Sequence, residues 1–234
     1  VRDIILLGMA REESTRLPNK MLRPFGDTTL FDIHYNLLRE IAMMENSPFS
    51  KVVLAINKKD KNLWNKAYWS IYHSNSSVVL EERNDWSVQG ATKPSELFHY
   101  LGEYEEDYVF RLNACFPFLT TETIIKAANF FKSHPKIKTM TCVRERANWF
   151  WEPKTGKSLT LGDPTHTTMQ QSKMLYESVH CFHILNRQSL LNDVLWNLNR
   201  NDPYLYVLPE SVEFIDIDTE TEFTIAESVW RNKK

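Results

Sequence analysis

The chain has 234 residues, 42% of them hydrophobic, enough for one sizeable core. Lys+Arg 28 against Asp+Glu 30 gives a net charge of −2, so no overall basic field directs it to nucleic acid or an anionic membrane, and any anion site must be local. Three scattered cysteines (Cys115, Cys142, Cys181) without a C-x-x-C spacing exclude a disulfide framework and point to a reducing, cytoplasmic setting, and no apolar run approaches the ~20 residues of a spanning helix.

In chain order, "VRDIILLGMAR" opens with a short apolar run ending in charges, which reads as a strand over 3–7 rather than a signal peptide. β-branched runs predict further strands over 51–56, 77–82, 107–114 and 136–143, separated by i, i+3, i+4 apolar spacing that predicts helices over 29–44, 59–73, 93–104 and 121–134. Near-continuous apolar strands alternating with crossover helices mean a mostly parallel central sheet with helices on both faces, an α/β fold. Ligands in such sheets bind beyond the carboxyl ends of the strands. From 144 to 177 periodicity fades, and the Lys-Thr-Gly-Lys turn predicts a projecting β-hairpin arm around Thr155-Gly156. Strands follow over 179–185, 204–208 and 212–217, with a helix over 187–198 between. Thr219 with Glu222 forms a capping box opening a last helix. With no repeat or linker, residues 1–234 read as a single domain.

The loop after the first strand, "AREESTRLPNK" (10–20), carries Arg11, Arg16 and Lys20 with the hydroxyls of Ser14 and Thr15, and no glycine-rich phosphate motif is present anywhere. A planar guanidinium fork and a mobile ammonium suit phosphate oxygens. Near the other end, "FIDIDTETEF" places Asp216 and Asp218 one strand repeat apart, on one side of the predicted strand, a pattern that suits a hard divalent cation.

The loop resembles the A-R-x-x-S-x-R-[LIV]-P-x-K signature of the sugar-acid cytidylyltransferases, the family of the acylneuraminate and 3-deoxy-manno-octulosonate enzymes and their spore-coat polysaccharide relatives. The resemblance implies a Rossmann-like nucleotidyltransferase fold of the glycosyltransferase-A type and a reaction of CTP with a sugar acid in the presence of Mg²⁺, giving a CMP-sugar and pyrophosphate. It implies that Ala10, Arg11, Ser14, Arg16 and Lys20 surround the nucleotide, with Arg11 and Lys20 catalytic, and that Asp216 and Asp218 hold the metal. Arg83 matches a base-reading arginine, followed by the small stretch with Ala91 and Thr92. Asn113 stands where relatives place a sugar-contacting glutamine, and Cys115 where the octulosonate enzymes carry an aspartate. Gln170, Gln171 and Tyr176 match sugar contacts of the sialic acid enzymes, but the arginines flanking them there are Met169 and Glu177 here, which removes a carboxylate clamp. Glu12 and Glu13 stand where relatives have small or apolar residues. The family pairs its subunits through an arm like 144–177, so the expected partners are CTP, an acidic sugar and a second copy of the chain, with neither nucleic acid nor membrane.

Two rivals share these residues. A glycosyltransferase would use Asp-Ile-Asp as its metal motif, although the early cationic loop favours a triphosphate. A non-catalytic relative would bind nucleotide without turnover. His180, Cys181 and His183 make a poor zinc set, because strand alternation sends His180 away from the other two.

Overall fold

The computed structural model describes residues 2–84 and 92–233. Strand β1 (Ile4–Met9) is buried on both faces, with Ile4 and Leu6 in one core and Ile5 and Leu7 in the other. It pairs in parallel with β4 (Lys51–Ile56) on one side and β6 (Tyr108–Asn113) on the other, and β5 (Val79–Glu82) extends the sheet beyond β4. Past β6 come β8 (Met174–Asn186), β7 (Met140–Ala147) and β9 (Tyr204–Val207), giving the order β5-β4-β1-β6-β8-β7-β9, antiparallel only where β8 meets β6 and β7. The order reverses between β1 and β6, so a crevice opens beyond their carboxyl ends.

The two faces are covered unequally. The long helices α1 (Leu30–Ala42), α2 (Lys61–Ser74), α4 (Thr121–Ser133) and α6 (Glu220–Asn232) all bury residues in the larger core. Short pieces cover the other face: α3 (Pro94–Leu97), a 3₁₀ turn at His99–Glu103 and α5 (Arg187–Leu191). Predicted helices over 93–104 and 187–198 are therefore broken. The second stops where Asp193 takes a left-handed φ of 62°.

A hairpin that the sequence reading misses, β2 (Pro24–Phe25) and β3 (Thr28–Thr29), holds α6 against the segment between the first loop and α1. Phe25 packs against Phe223 and Trp230 of α6, at ring-centroid distances of 5.3 and 5.7 Å. Gly26, at φ +62°, lies against the Trp230 ring, so both its conformation and the space exclude a Cβ. Arg23 donates two 2.6 Å hydrogen bonds to the Glu220 carboxylate. The Thr219–Glu222 capping box forms as read, with Glu222 N–H donating to Thr219 Oγ1 at 3.3 Å and Thr219 N–H donating to Glu222 Oε2 at 2.8 Å.

The predicted strand over 212–217 does not form. Val212–Phe214 is a 3₁₀ turn, and the extended residues after it share one backbone bond with the loop after β6, Ile217 N–H to Cys115 O at 3.0 Å. One rung does not make a ladder. The 136–143 strand begins later, at Met140, and runs on to Ala147, pairing with β8 as an exposed ribbon (Arg144↔Glu177 to Ala147↔Met174) before the Trp151–Ser158 bridge and the turn at Gly156, φ +65°. No helix among the described residues is long and apolar enough to cross a membrane.

Candidate active site

A cleft of about 420 Å³ lies at the crevice between β1 and β6. Ala10 follows β1, its N–H donating to Ala55 O at 3.3 Å, and Arg11, Ser14, Arg16 and Lys20 of the same loop line the cleft. Leu17 anchors the loop in the core at 1% exposure, and Asn19, at φ 55°, turns the chain back so that Lys20 points inward. Arg83, 5% exposed, enters from the end of β5, held by its N–H to Ile56 O at 2.9 Å. Asn113 and Cys115 enter from the end of β6, and Asp218 from just before α6.

The two ends of the chain meet here. Buried Lys20 donates from Nζ to Ile217 O (2.7 Å), Asp218 Oδ1 (3.0 Å) and Cys115 Sγ (2.9 Å), while Arg16 Nη2 reaches the other Asp218 oxygen at 2.8 Å. Burial opposes the charge on Lys20, but its Cys115 and Asp218 contacts outweigh it and hold the ammonium above its ordinary pKa. Burial also raises the Cys115 pKa, so a neutral sulfur meets Lys20 and Asp218 supplies the counter-charge. Asp218 is ionised: burial would raise its pKa, but Lys20 and Arg16 bring it below the usual carboxylate range. Asp216 lies the other way, raised to about 6 by burial and by the charge on Asp218. Like charges side by side drive the two carboxylates apart in this manner.

Ligand atoms of Cys115, Asp216 and Asp218 lie within 4.8 Å of one another, so Asp216 and Asp218 converge although no strand sets their alternation. Asp216 Oδ1 is buried and makes no hydrogen bond among the described residues. An unpartnered carboxylate oxygen beside a second carboxylate fits a hard divalent cation. Cys115 adds a soft ligand to that set.

Glu12 is accounted for by its neighbours. Its carboxylate accepts from Asn62 Nδ2 (2.6 Å) and Leu63 N–H (3.4 Å), capping the start of α2, while its own N–H donates to Asp60 Oδ2 at 3.0 Å. The negative end is spent on the helix N-terminus, away from the cationic cleft. A larger, more open hollow of about 570 Å³ on that side of the loop is lined by Glu12, Glu13 and Asp60 with Lys59 and Lys61, so its charges nearly cancel and it lacks the cationic excess of the cleft.

Not every expected residue joins the cleft. Ala91 lies outside the described residues, and Thr92 precedes α3 without lining the cleft. Gln170, Gln171 and Tyr176 sit exposed around the start of β8, also away from it. Gln171 Oε1 is occupied as a cap, accepting from Thr167 N–H (3.0 Å) and Thr168 N–H (3.1 Å). Glu177 pairs with Arg144 (2.6 Å) and Arg146 (2.8 Å) on the neighbouring strand, which hold its carboxyl below the ordinary range. Its charge is thus neutralised within the ribbon.

The expectation that His180 and His183 face opposite ways is also corrected. His180 takes φ 62° where the β7–β8 register shifts, and its Nδ1 comes within 3.4 Å of His183 Nε2. An extra residue at a bulge reverses the alternation of side chains. The third candidate, Cys181, faces Cys142 instead, with sulfurs 3.3 Å apart, and no zinc set forms among the described residues.

One cleft residue escapes the sequence reading. Arg111 lies mid-strand in β6, in phase with Val109 and Asn113, and lines the cleft. Its signal is a charge inside the otherwise apolar run "YVFRL", which a buried central strand carries only for a reason.

A family model described as cytidylyltransferase matches residues 4–190. The spore coat polysaccharide biosynthesis protein SpsF of Bacillus subtilis (strain 168) is 28% identical over 107 residues, a stretch covering 44% of this chain and 44% of that protein. The fold matches CMP:2-keto-3-deoxy-manno-octonic acid synthetase complexed with CTP at TM-score 0.66 and 12% identity, covering 99% of this chain and 100% of that one. It also matches 4-diphosphocytidyl-2C-methyl-D-erythritol synthase from Anaerococcus prevotii at TM-score 0.65 and 10% identity, covering 98% and 99%. With the loop, the strand order and the matched length in agreement, the chain belongs to the cytidylyltransferase family, whose nucleotidyl donor is CTP.

Proposed function

We propose that the protein transfers CMP from CTP to a hydroxyl of an acidic sugar and releases pyrophosphate. The observation that carries this reading is the bond from Lys20 to Asp218, which joins the early basic loop to the late acidic segment at one cleft. The acceptor oxygen bonds to the α-phosphorus, the bond from phosphorus to the β-phosphate oxygen breaks, and the hydroxyl proton is released to solvent. Arg11, Arg16 and Lys20 face the charge that develops on the departing pyrophosphate. Preorganised cations in such a place lower the barrier more than ground-state binding does. Arg83 holds the base from the β5 side and Asn113 the acceptor from the β6 side. Asn113 Oδ1 accepts from Cys115 N–H at 3.1 Å, which leaves its amide nitrogen as a donor.

Asp216 and Asp218, with Cys115 beside them, would hold Mg²⁺. Bound there, the ion would neutralise phosphate charge and orient the triphosphate. The exposed Trp149, Phe150 and Trp151 of the 144–177 arm would form the contact between two subunits, which light scattering of the purified protein tests.

The deciding experiment incubates the protein with CTP, Mg²⁺ and a panel of sugar acids and follows pyrophosphate. Release that depends on both CTP and a sugar acid supports the proposal. Consumption of a supplied nucleotide-sugar, or CTP binding with no turnover on any acceptor, refutes it.

A further inference from the structure

Among the described residues that line the cleft, cations outnumber carboxylates. Arg11, Arg16, Lys20, Arg83 and Arg111 are there with one described carboxylate, Asp218, which pairs with Arg16 and Lys20. CTP with one divalent cation carries roughly two net negative charges, all on the triphosphate, within reach of the loop cations. Cytosine is uncharged, so a base beside Arg83 brings no counter-ion. Arg111 is left over.

Its surroundings make that costly. Arg111 pairs in register with Leu7 of β1 and His183 of β8, and its guanidinium lies over the Phe98 ring at 5.8 Å. No salt bridge joins it to a carboxylate among the described residues. The nearby Tyr100 hydroxyl is buried and makes no hydrogen bond among the described residues. Burial holds the Arg111 pKa below its ordinary value, yet a guanidinium stays charged at neutral pH. Arg111 is half-buried, and a guanidinium partly withdrawn from water with no carboxylate beside it among the described residues favours an incoming anion. Asn113 is on the same face of β6, one strand repeat further along, about 7 Å away.

Resting on the nucleotidyltransferase reading, we propose that Arg111 is the anion-binding residue of the acceptor subsite, and that the acceptor carries an acidic oxygen group, carboxylate or phosphate, held between Arg111 and Asn113. Such a fork replaces the clamp absent at Met169 and Glu177. It also selects against neutral sugars, because an uncharged acceptor leaves the guanidinium unpaired.

The test uses the whole chain saturated with CTP and without acceptor, so that the triphosphate subsite is filled. Pyruvate and inorganic phosphate serve as anion probes and glycerol as the neutral control, read by thermal shift. For wild type, a concentration-dependent rise with pyruvate identifies a carboxylate acceptor and a rise with phosphate a phosphorylated one, with glycerol inert. Arg111→Met abolishes the rise while CTP affinity, measured by calorimetry, changes less than about threefold. Arg111→Lys keeps the charge without the fork and retains a weakened response, so it carries the test if Arg111→Met does not fold. A rise that survives Arg111→Met, the absence of any rise in CTP-loaded wild type, or a loss of CTP affinity beyond about threefold in the variants overturns the proposal. Failure of wild type to bind CTP overturns the nucleotidyltransferase reading instead, so the two are separable.

Discussion

Replacing Lys20 by methionine removes a side chain that ties the first loop to the end of β6 and to the segment before α6. The ammonium gives hydrogen bonds to Ile217 O, Asp218 and Cys115. Asp218 keeps Arg16 and partial solvent access, so it is not stranded, and the neutral Cys115 thiol loses little. The buried Ile217 carbonyl loses its Lys20 donor, worth about 1–3 kcal/mol, while the methionine restores apolar contact where the lysine stem lay. The net expectation is a loss of about 2 kcal/mol, or roughly 4–8 °C in Tm for a chain of this size. Catalysis falls further. If Lys20 stabilises the departing pyrophosphate, the rate of pyrophosphate release drops by about 10²–10³ with CTP affinity changed much less. Differential scanning fluorimetry and a coupled pyrophosphate assay measure both. A variant that melts with wild type and turns over within about threefold of it would refute both assignments of Lys20.

Two buried histidines make the fold acid-sensitive. Burial lowers His34 to about 4, and burial with the nearby positive charge of Arg111 lowers His183 to about 3, so the folded state binds fewer protons than the unfolded chain below pH 6.5. Their neutral forms are accommodated above that pH, and stability is lost as pH falls, by about 2 kcal/mol per histidine at pH 5. Urea melts at pH 7 and pH 5 show this, and His34→Leu flattens the dependence. Glu12→Ala removes the carboxylate that caps α2, costing about 1 kcal/mol by thermal melting with turnover unchanged. Cys115→Asp places a third hard ligand beside Asp216 and Asp218, and calorimetry is expected to show tighter Mg²⁺ binding, by roughly tenfold. Unchanged affinity would remove Cys115 from the metal site.

The amino-acid sequence by itself settled what depends on short-range pattern. Strands β1 and β4 declare themselves because both faces are apolar, β6 because its apolar run carries a single charge, and the loop at 10–20 because its cations follow a strand directly. The capping box at Thr219 is equally local. Tertiary structure decided the rest. Arg111 belongs to the cleft only because the sheet order brings β6 beside β1, and periodicity within one strand carries no information about neighbours. His180 joins His183 through a bulge, a single positive φ that reverses an alternation the residues alone do not betray. Asp216 and Asp218 converge without the expected strand, since the β2–β3 hairpin and α6 pin their segment against Lys20. Even the acid within the cationic loop, Glu12, is explained only by a helix that starts about fifty residues later. Local propensity depends on a few neighbouring residues, whereas charge pairing depends on distance in space, and only the folded chain sets that distance.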